Sequence, residues 1–250
     1  MKKICICGGG SLGHVIAGYL SANGKATVSI LTNHPTAWQN KIEICVPDNG
    51  EMLIGNIACV SANPAEALLD AEIVLLCLPG FLIKDELIKI RDFINSGTYV
   101  GSVFSSTGFF FEALKLLNED IPLWGFQRVP FISRIKEYGH SASLLGYKGC
   151  YHIAVERDTD ANKELFRYWV ENSFDRPVTL LKNYLEASLT NSNPLLHTAR
   201  LYSMFHDWQP GISYPRNILF YEEWTEDAAK LLIQMDAEFF TLLGVLPVTS

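Results

Sequence analysis

A glycine-rich turn close to the N-terminus constrains the fold more than any other feature of the chain. The short apolar run Lys3–Cys7 leads into Gly8-Gly9-Gly10-Ser11-Leu12-Gly13, and Leu12–Leu20 then has the apolar spacing of a helix. A strand, a GxGxxG turn and a helix in this order are typical of dinucleotide-binding folds. The pattern alone is weak, so a purely structural glycine turn remains the alternative.

The turn residues have separate expected roles in holding a dinucleotide. Gly8 would make the tight turn, Gly10 would let the backbone approach a pyrophosphate, and Gly13 would let the helix pack on the strand. Ser11 and Leu12 open the helix, whose free N–H groups favour phosphate. We therefore expect all five residues to contribute to cofactor binding.

Strands and helices alternate after this turn and predict a parallel sheet. Further strand candidates are Ala26–Thr32, Ile73–Leu78, Tyr99–Phe104 and Leu123–Phe126, and helix candidates are Phe81–Ile94 and Gly108–Asn118. From Asn183 onward the pattern is helical. The predicted fold class is α/β, a Rossmann-type doubly wound sheet followed by a small all-helical domain. We expect an NAD(P)-binding domain over residues 1–182 and a helical substrate and dimerisation domain over 183–250.

Two hairpins are predicted from turn residues between strand-like runs. One joins Ile42–Val46 to Met52–Ile57 through Pro47-Asp48-Asn49-Gly50. The other joins Ser141–Leu145 to Tyr151–Val155 through Gly146-Tyr147-Lys148-Gly149.

The residues after the second strand bear on the choice of cofactor. Thr32 and Asn33 stand where NAD sites usually carry an acidic residue for the ribose 2′-hydroxyl. Their neutrality slightly favours NADP over NAD, although no arginine lies beside them, and they could be turn residues only. Leu78 and Pro79 end a buried strand, so we expect them at the carboxyl edge of the sheet, where ligands bind.

Composition excludes several other classes of protein. Twenty basic and 27 acidic residues give a net charge of −7, which argues against a nucleic-acid partner. No run reaches the length of a membrane helix, and the opening apolar run is too short for a signal peptide. The six cysteines form no CxxC pair, so we expect buried thiols, no metal site and a cytoplasmic location.

A second informative segment lies in the helical part. Asn193 and Pro194 are typical of a helix start, and His197 and Arg200 are three residues apart, so they share a helix face. Histidine exchanges a proton near neutral pH, and arginine can hold a substrate carboxylate. By spacing alone, a structural histidine remains the alternative.

These residues resemble the octopine/nopaline (opine) dehydrogenase family. Asn193-Pro194-Leu195-Leu196-His197 is similar to the Asn-Pro-x-x-His segment of that family. The resemblance extends to Gln127–Arg134, to Phe220-Tyr221-Glu222 and to Met235-Asp236-Ala237-Glu238.

The resemblance implies reductive condensation of a 2-oxo acid with the amine of an amino acid, or its reverse, with NAD(P)H as the hydride source. His197 would be the proton donor and acceptor, and Asn193 would fix the helix start and contact cofactor or substrate. The role of Arg200 as a carboxylate clamp is an inference from helix spacing.

The chain also departs from the family. Phe239 stands where the family often has arginine, and family members usually continue further and carry the acidic partner of their histidine there. Asp207, Asp236, Glu186 or a second subunit are the alternatives for that partner. The apolar group Phe239, Phe240, Leu242 and Leu243 predicts a homodimer, with packing within one chain as the alternative.

Two other functions remain open from the sequence. A non-catalytic dinucleotide-binding sensor or assembly subunit would explain the short helical part. A 2-oxo acid reductase of the ketopantoate reductase type usually uses a lysine on the helix after the Rossmann domain, and the absence of lysine between residues 186 and 207 weighs against this function.

Overall fold

The computed structural model describes residues 1–189 and 193–248, which form two compact units, Met1–Leu189 and Thr190–Ser250. The division falls seven residues after the predicted boundary at Lys182. The difference arises because the first predicted helix after that boundary packs on the sheet. That helix therefore belongs to the first unit.

Among the described residues, the first unit contains an eleven-stranded sheet. In chain order its strands are β1 (Lys2–Cys7), β2 (Ala26–Leu31), β3 (Lys41–Val46), β4 (Glu51–Ser61), β5 (Ile73–Leu76), β6 (Tyr99–Ser102), β7 (Leu123–Phe126), β8 (Phe131–Glu137), β9 (Ser141–Tyr147), β10 (Tyr151–Glu156) and β11 (Val178–Leu180). The helices of this unit are α1 (Ser11–Ala22), α2 (Pro64–Ala67), α3 (Gly80–Ile90), α4 (Phe109–Leu116), α5 (Asp160–Phe174) and α6 (Tyr184–Leu189).

The centre of the sheet has the Rossmann order. Across the sheet the strands run β11-β10-β7-β6-β5-β1-β2-β4-β3-β9-β8, and the six from β7 to β4 are parallel. By chain position those six strands have the order 3-2-1-4-5-6 of doubly wound dinucleotide-binding sheets. The predicted fold class is confirmed. One edge of the sheet consequently carries the carboxyl ends of β1, β2, β5, β6 and β7.

One predicted hairpin is correct and the other is wrong. β3 and β4 pair antiparallel around the turn at Pro47–Gly50. β9 and β10 do not pair, because β9 lies between β3 and β8 while β10 pairs with β7 and β11. β9 instead forms a hairpin with β8, whose turn contains Gly139 at φ +71°.

Helices cover both faces of the central strands of the sheet. In β1, Ile4, Cys5, Ile6 and Cys7 are at most 1% exposed, as expected for a parallel strand covered by helices on both sides. Ile4 and Ile6 pack with α1, whereas Cys5 and Cys7 pack with residues of α3 and α4. The cysteine side chains thus serve as small apolar residues, and all six cysteines are free thiols.

The second unit contains helices α7 (Asn193–Phe205) and α8 (Glu226–Leu243), which pack on each other. Thr225 caps α8, since its hydroxyl accepts a hydrogen bond from the backbone N–H of Ala228. Ala228 is the one α8 residue classed as buried among those described, and Ile233 and Phe240 are largely exposed. This unit has little apolar core of its own.

Candidate functional site

Packing fixes the glycine turn between β1 and α1. Gly8 has φ +119°, and a Cβ there would lie 2.6 Å from the carbonyl oxygen of Cys77. A Cβ on Gly13 would lie 2.2 Å from the carbonyl oxygen of Gly8. Side chains are therefore excluded at both positions by the backbone itself, as predicted for the tight turn and the helix–strand contact.

Gly10 differs from these two glycines, because nothing lies within 4 Å of a Cβ built on it. Its backbone is extended, with φ −80° and ψ −177°, and it is the N-cap residue of α1. No acidic residue occupies the first turn of α1, so the positive end of the helix is not neutralised there. Open space beside a helix N-terminus fits the pyrophosphate of a dinucleotide.

A cavity of about 590 Å³ opens beside this turn, and we call it the nucleotide cavity. Five of the residues predicted from sequence to bind cofactor line it, namely Gly10, Ser11, Leu12, Leu78 and Pro79. Its volume lies within the range of ligand pockets, about 300–1,000 Å³.

The opposite wall of the nucleotide cavity is formed by residues of two further parts of the chain. It is formed by Phe104 and Thr107 after β6, and by Phe131 and Arg134 of β8. Arg134 is exposed and donates a hydrogen bond to the carbonyl oxygen of Ser133. The cavity is thus mainly apolar, with one guanidinium that could face a phosphate. The motif Gln127–Arg134 was the available signal for this wall.

A smaller cavity of about 160 Å³, the β2-end cavity, contains the residues predicted to face the adenosine ribose. Thr32 and Asn33 line it together with Lys89 of α3 and Tyr138. The Thr32 hydroxyl accepts from the backbone N–H of His34 and lies 3.4 Å from the Tyr138 hydroxyl.

Lys89 supplies the cation that the sequence near Thr32 lacks. Its ammonium lies 3.8 Å from the carboxylate of Glu86, which lines the same cavity. Burial raises the pKa of the Glu86 carboxyl above its usual value. The β2-end cavity therefore holds a lysine and a largely buried carboxyl group, either of which could meet the ribose.

His14 contacts the backbone of the glycine turn, and the sequence analysis did not single it out. Its side chain is 0% exposed, Nδ1 lies 3.0 Å from the carbonyl oxygen of Gly10, and Nε2 accepts from the backbone N–H of Gly139 at 2.7 Å. The ring packs against Trp38 and Tyr138. Burial lowers the pKa of His14, so the imidazole is held neutral. A histidine four residues after Gly10 was the signal available.

In the second unit, the structure places His197 beside an aromatic turn. Nε2 of His197 lies 3.4 Å from the Tyr221 hydroxyl, and the ring meets the edge of Phe220 at 5.3 Å between centroids. His197 is exposed on α7, which begins at Asn193, one residue before the predicted start at Pro194. Among the described residues, no carboxylate contacts its ring, and the Tyr221 hydroxyl lies beside Nε2 instead.

Arg200 has a structural role in this unit. It is 1% exposed, and its guanidinium donates to the carbonyl oxygens of Leu219, Phe220 and Glu223. These bonds hold the turn that carries Tyr221. The structure gives the predicted carboxylate clamp no support, because helix spacing gave no information on what covers Arg200, which is buried while His197 is exposed.

Glu186, one of the candidate acidic partners of His197, is hydrogen-bonded within the first unit. It is 5% exposed, and its carboxylate accepts from the backbone N–H of Lys182 in the first unit.

In the described part of the chain, no group of three or more His, Cys, Asp or Glu side chains could hold a metal ion. No helix there is long and apolar enough to cross a membrane.

The helical part of the chain matches a family model of known proteins. Residues 180–249 match the family model for the NAD/NADP octopine/nopaline dehydrogenase α-helical domain. An uncharacterised protein of Sinorhizobium fredii is 28% identical over 94% of this chain and 65% of its own length. A tauropine dehydrogenase of Arabella iricolor is 26% identical over 95% of this chain and 64% of its own. The chain spans slightly less than two thirds of these relatives.

Solved structures agree on the fold. A structure of octopine dehydrogenase in complex with NADH and agmatine matches with a TM-score of 0.81 and 19% identity, over 100% of this chain and 66% of that chain. A ketopantoate reductase from Ralstonia eutropha matches with a TM-score of 0.66 and 15% identity, over 99% of this chain and 76% of that one. At these identities the likeness concerns the fold alone. The family model and the sequence relatives together confirm the resemblance inferred from the motifs, and the chain is similar to opine dehydrogenases over most of its length.

Proposed function

We propose that the protein is an NAD(P)-dependent oxidoreductase of the opine type, which condenses a 2-oxo acid with the amine of an amino acid. The observation that carries the proposal is the pairing of His197 with Tyr221, within a segment that matches the octopine/nopaline dehydrogenase helical domain. The nucleotide cavity beside Gly10 supports it from the first unit.

Each residue has a defined part in the proposed reaction. The α1 N-terminus at Gly10 and Ser11 would hold the pyrophosphate through backbone N–H groups, and Leu78 and Pro79 would border the rest of the dinucleotide. The bound nicotinamide would supply the hydride. His197 would donate the paired proton to the substrate and take it back in reverse, with Tyr221 orienting its imidazole. Asn193 would contact substrate from the start of α7.

The test is oxidation of NADH and NADPH with pyruvate or another 2-oxo acid, in the presence and absence of a panel of amino acids. We expect consumption that depends on the amine and is lost in His197→Gln while dinucleotide binding persists. Tight dinucleotide binding without turnover for any pair would identify a sensor or assembly subunit instead. Full turnover by His197→Gln would remove this histidine from the mechanism.

Reduction of a 2-oxo acid alone is the second candidate, favoured by the fold likeness to ketopantoate reductase. The absence of lysine between residues 186 and 207 weighs against it. Turnover that is independent of any amine would establish this activity and exclude opine chemistry.

We also propose that the protein pairs with a second copy through α8. Phe240 and Leu242 are 61% and 46% exposed on that helix, while Phe239 and Leu243 are partly buried. Light scattering should give twice the mass of the chain, and Phe240→Glu should give the mass of one chain. A monomeric wild-type protein would contradict this pairing.

A further inference from the structure

A third cavity lies at the carboxyl end of β7, apart from the two already described. It has a volume of about 310 Å³ and is lined by Gln127, Arg128, Lys148, Cys150, Tyr151 and His152. Gln127 and Arg128 directly follow β7, and Lys148 belongs to the connection between β9 and β10. We call it the β7-edge cavity.

The charged side chains that line this cavity, among the described residues, are both positive. Arg128 and Lys148 are exposed, and within the described part of the chain neither takes part in a side-chain hydrogen bond or an ion pair. His152 likewise has no side-chain partner there, and no Asp or Glu is among the described lining residues. The chain has 27 acidic and 20 basic residues, so two unpaired cations at one cavity are a notable local excess of positive charge. Such a cavity favours an anion.

Backbone hydrogen bonds and the buried Tyr151 side chain hold the walls of the cavity in place, whereas Arg128 and Lys148 have no side-chain partner among the described residues. The backbone N–H of Gln127 donates to the carbonyl oxygen of His152 at 2.9 Å, and the Gln127 side chain donates to the carbonyl oxygen of Glu186 at 3.1 Å. Tyr151 is 2% exposed, and its hydroxyl donates to the carbonyl oxygen of Pro130. The walls of the site are therefore preformed, and binding a ligand orders mainly the side chains of Arg128 and Lys148.

The position of the cavity relates it to the proposed chemistry. In doubly wound sheets, ligands bind outside the carboxyl ends of the strands, and Gln127 and Arg128 follow β7 at that edge. Val129, the next residue along the chain, lines the nucleotide cavity. Both substrates of an opine-type condensation carry a carboxylate, and Arg200 is buried and bonded to carbonyl groups.

We propose that the β7-edge cavity binds the carboxylate of the 2-oxo acid substrate, with Arg128 as a two-pronged donor and Lys148 as a second positive charge. This assignment rests on the proposed function. A planar guanidinium matches the geometry of a carboxylate, and an ammonium adds attraction without fixing orientation.

The experiment measures binding of pyruvate and of 2-oxoglutarate to the full chain saturated with NADH or NADPH, by calorimetry at constant ionic strength in chloride. We expect Arg128→Gln and Lys148→Gln each to weaken binding by about tenfold, the effect of losing one charge-assisted contact. Lys136→Gln is the matched control, since Lys136 is an exposed lysine of the same unit that lines none of the described cavities. Its affinity should stay within about twofold of wild type. In turnover, Arg128→Gln should raise the KM for the 2-oxo acid more than it lowers kcat.

The outcomes separate this assignment from the proposed function. Amine-dependent turnover with an unchanged KM and affinity in both variants would overturn the carboxylate site and leave the function intact. Weakened binding in a protein without turnover would overturn the function and support the site as a carboxylate receptor of another kind. Inorganic phosphate bound as tightly as pyruvate, or no pyruvate binding to the wild type, would overturn the assignment.

Discussion

The open space at Gly10 gives a direct test of dinucleotide binding. Gly10→Ala adds a Cβ that meets nothing within 4 Å, at a residue whose φ of −80° any amino acid adopts. The reduced entropy of the unfolded chain should contribute about 0.4–1 kcal/mol of stability. Alanine is a poorer N-cap than glycine, which offsets this gain. We therefore expect a free energy of unfolding within about 1 kcal/mol of wild type.

Dinucleotide affinity should respond very differently. The added methyl group enters the space through which a pyrophosphate would approach the N-terminus of α1, so we expect binding of NADH and NADPH to weaken at least about tenfold, or ~1.4 kcal/mol. Urea unfolding and fluorescence titration with each nucleotide measure the two quantities on the same sample.

Gly13→Ala is the control for a glycine that is needed for packing. Its Cβ would lie 2.2 Å from the carbonyl oxygen of Gly8, so the folded state should lose about 1–3 kcal/mol or more. If Gly10→Ala bound both nucleotides as tightly as wild type, the turn would not approach a pyrophosphate and the reasoning would be refuted.

Three further predictions concern other parts of the molecule. Burial lowers the pKa of His14 below 6.5, so its contribution to stability should be complete above that pH and decline below it. His14→Gln should cost about 1–3 kcal/mol in urea unfolding at neutral pH, and a gap from wild type that does not narrow in acid would contradict this. Lys89→Gln should weaken NADPH binding about five- to tenfold and NADH binding less than about twofold, with Lys84→Gln, an exposed lysine of the same helix, as control. Loss of NADH binding in Glu86→Gln would instead show that Glu86 meets a ribose hydroxyl. Arg200→Met removes the donors to three carbonyl groups, so helical signal should be lost at lower temperature while dinucleotide binding persists. Unchanged melting would contradict the structural role of Arg200.

Local sequence patterns predicted the parts of the fold that local forces determine. β5 is a continuous apolar run because both faces of a central parallel strand are covered, and β3–β4 is a hairpin joined by residues that favour turns. The pairing of β9 with β8 and β3 depends on residues distant in the chain. Gly146–Gly149 has the composition of a turn but does not show which strands pair.

The residues of the candidate site likewise fall into those that a local motif predicts and those that only the tertiary structure brings together. Gly8, Gly10 and Gly13 were predictable because the turn is a single contiguous motif with a known backbone requirement. Lys89 and Arg128 reach their cavities only through the arrangement of several strands and helices, which no local pattern encodes. The burial of Arg200 could not be predicted, because periodicity places a residue on a helix face but does not reveal what covers that face.

The most direct test of the proposed reaction follows the transferred hydride into the product. The protein is incubated with a 2-oxo acid, an amino acid and NAD(P)H deuterated at the transferable position, and the products are analysed by mass spectrometry. We predict a secondary amine in which the former carbonyl carbon carries deuterium, with one water released per NAD(P)⁺ formed and little product from His197→Gln. Deuterium found only in a 2-hydroxy acid, or in no product, would contradict the account.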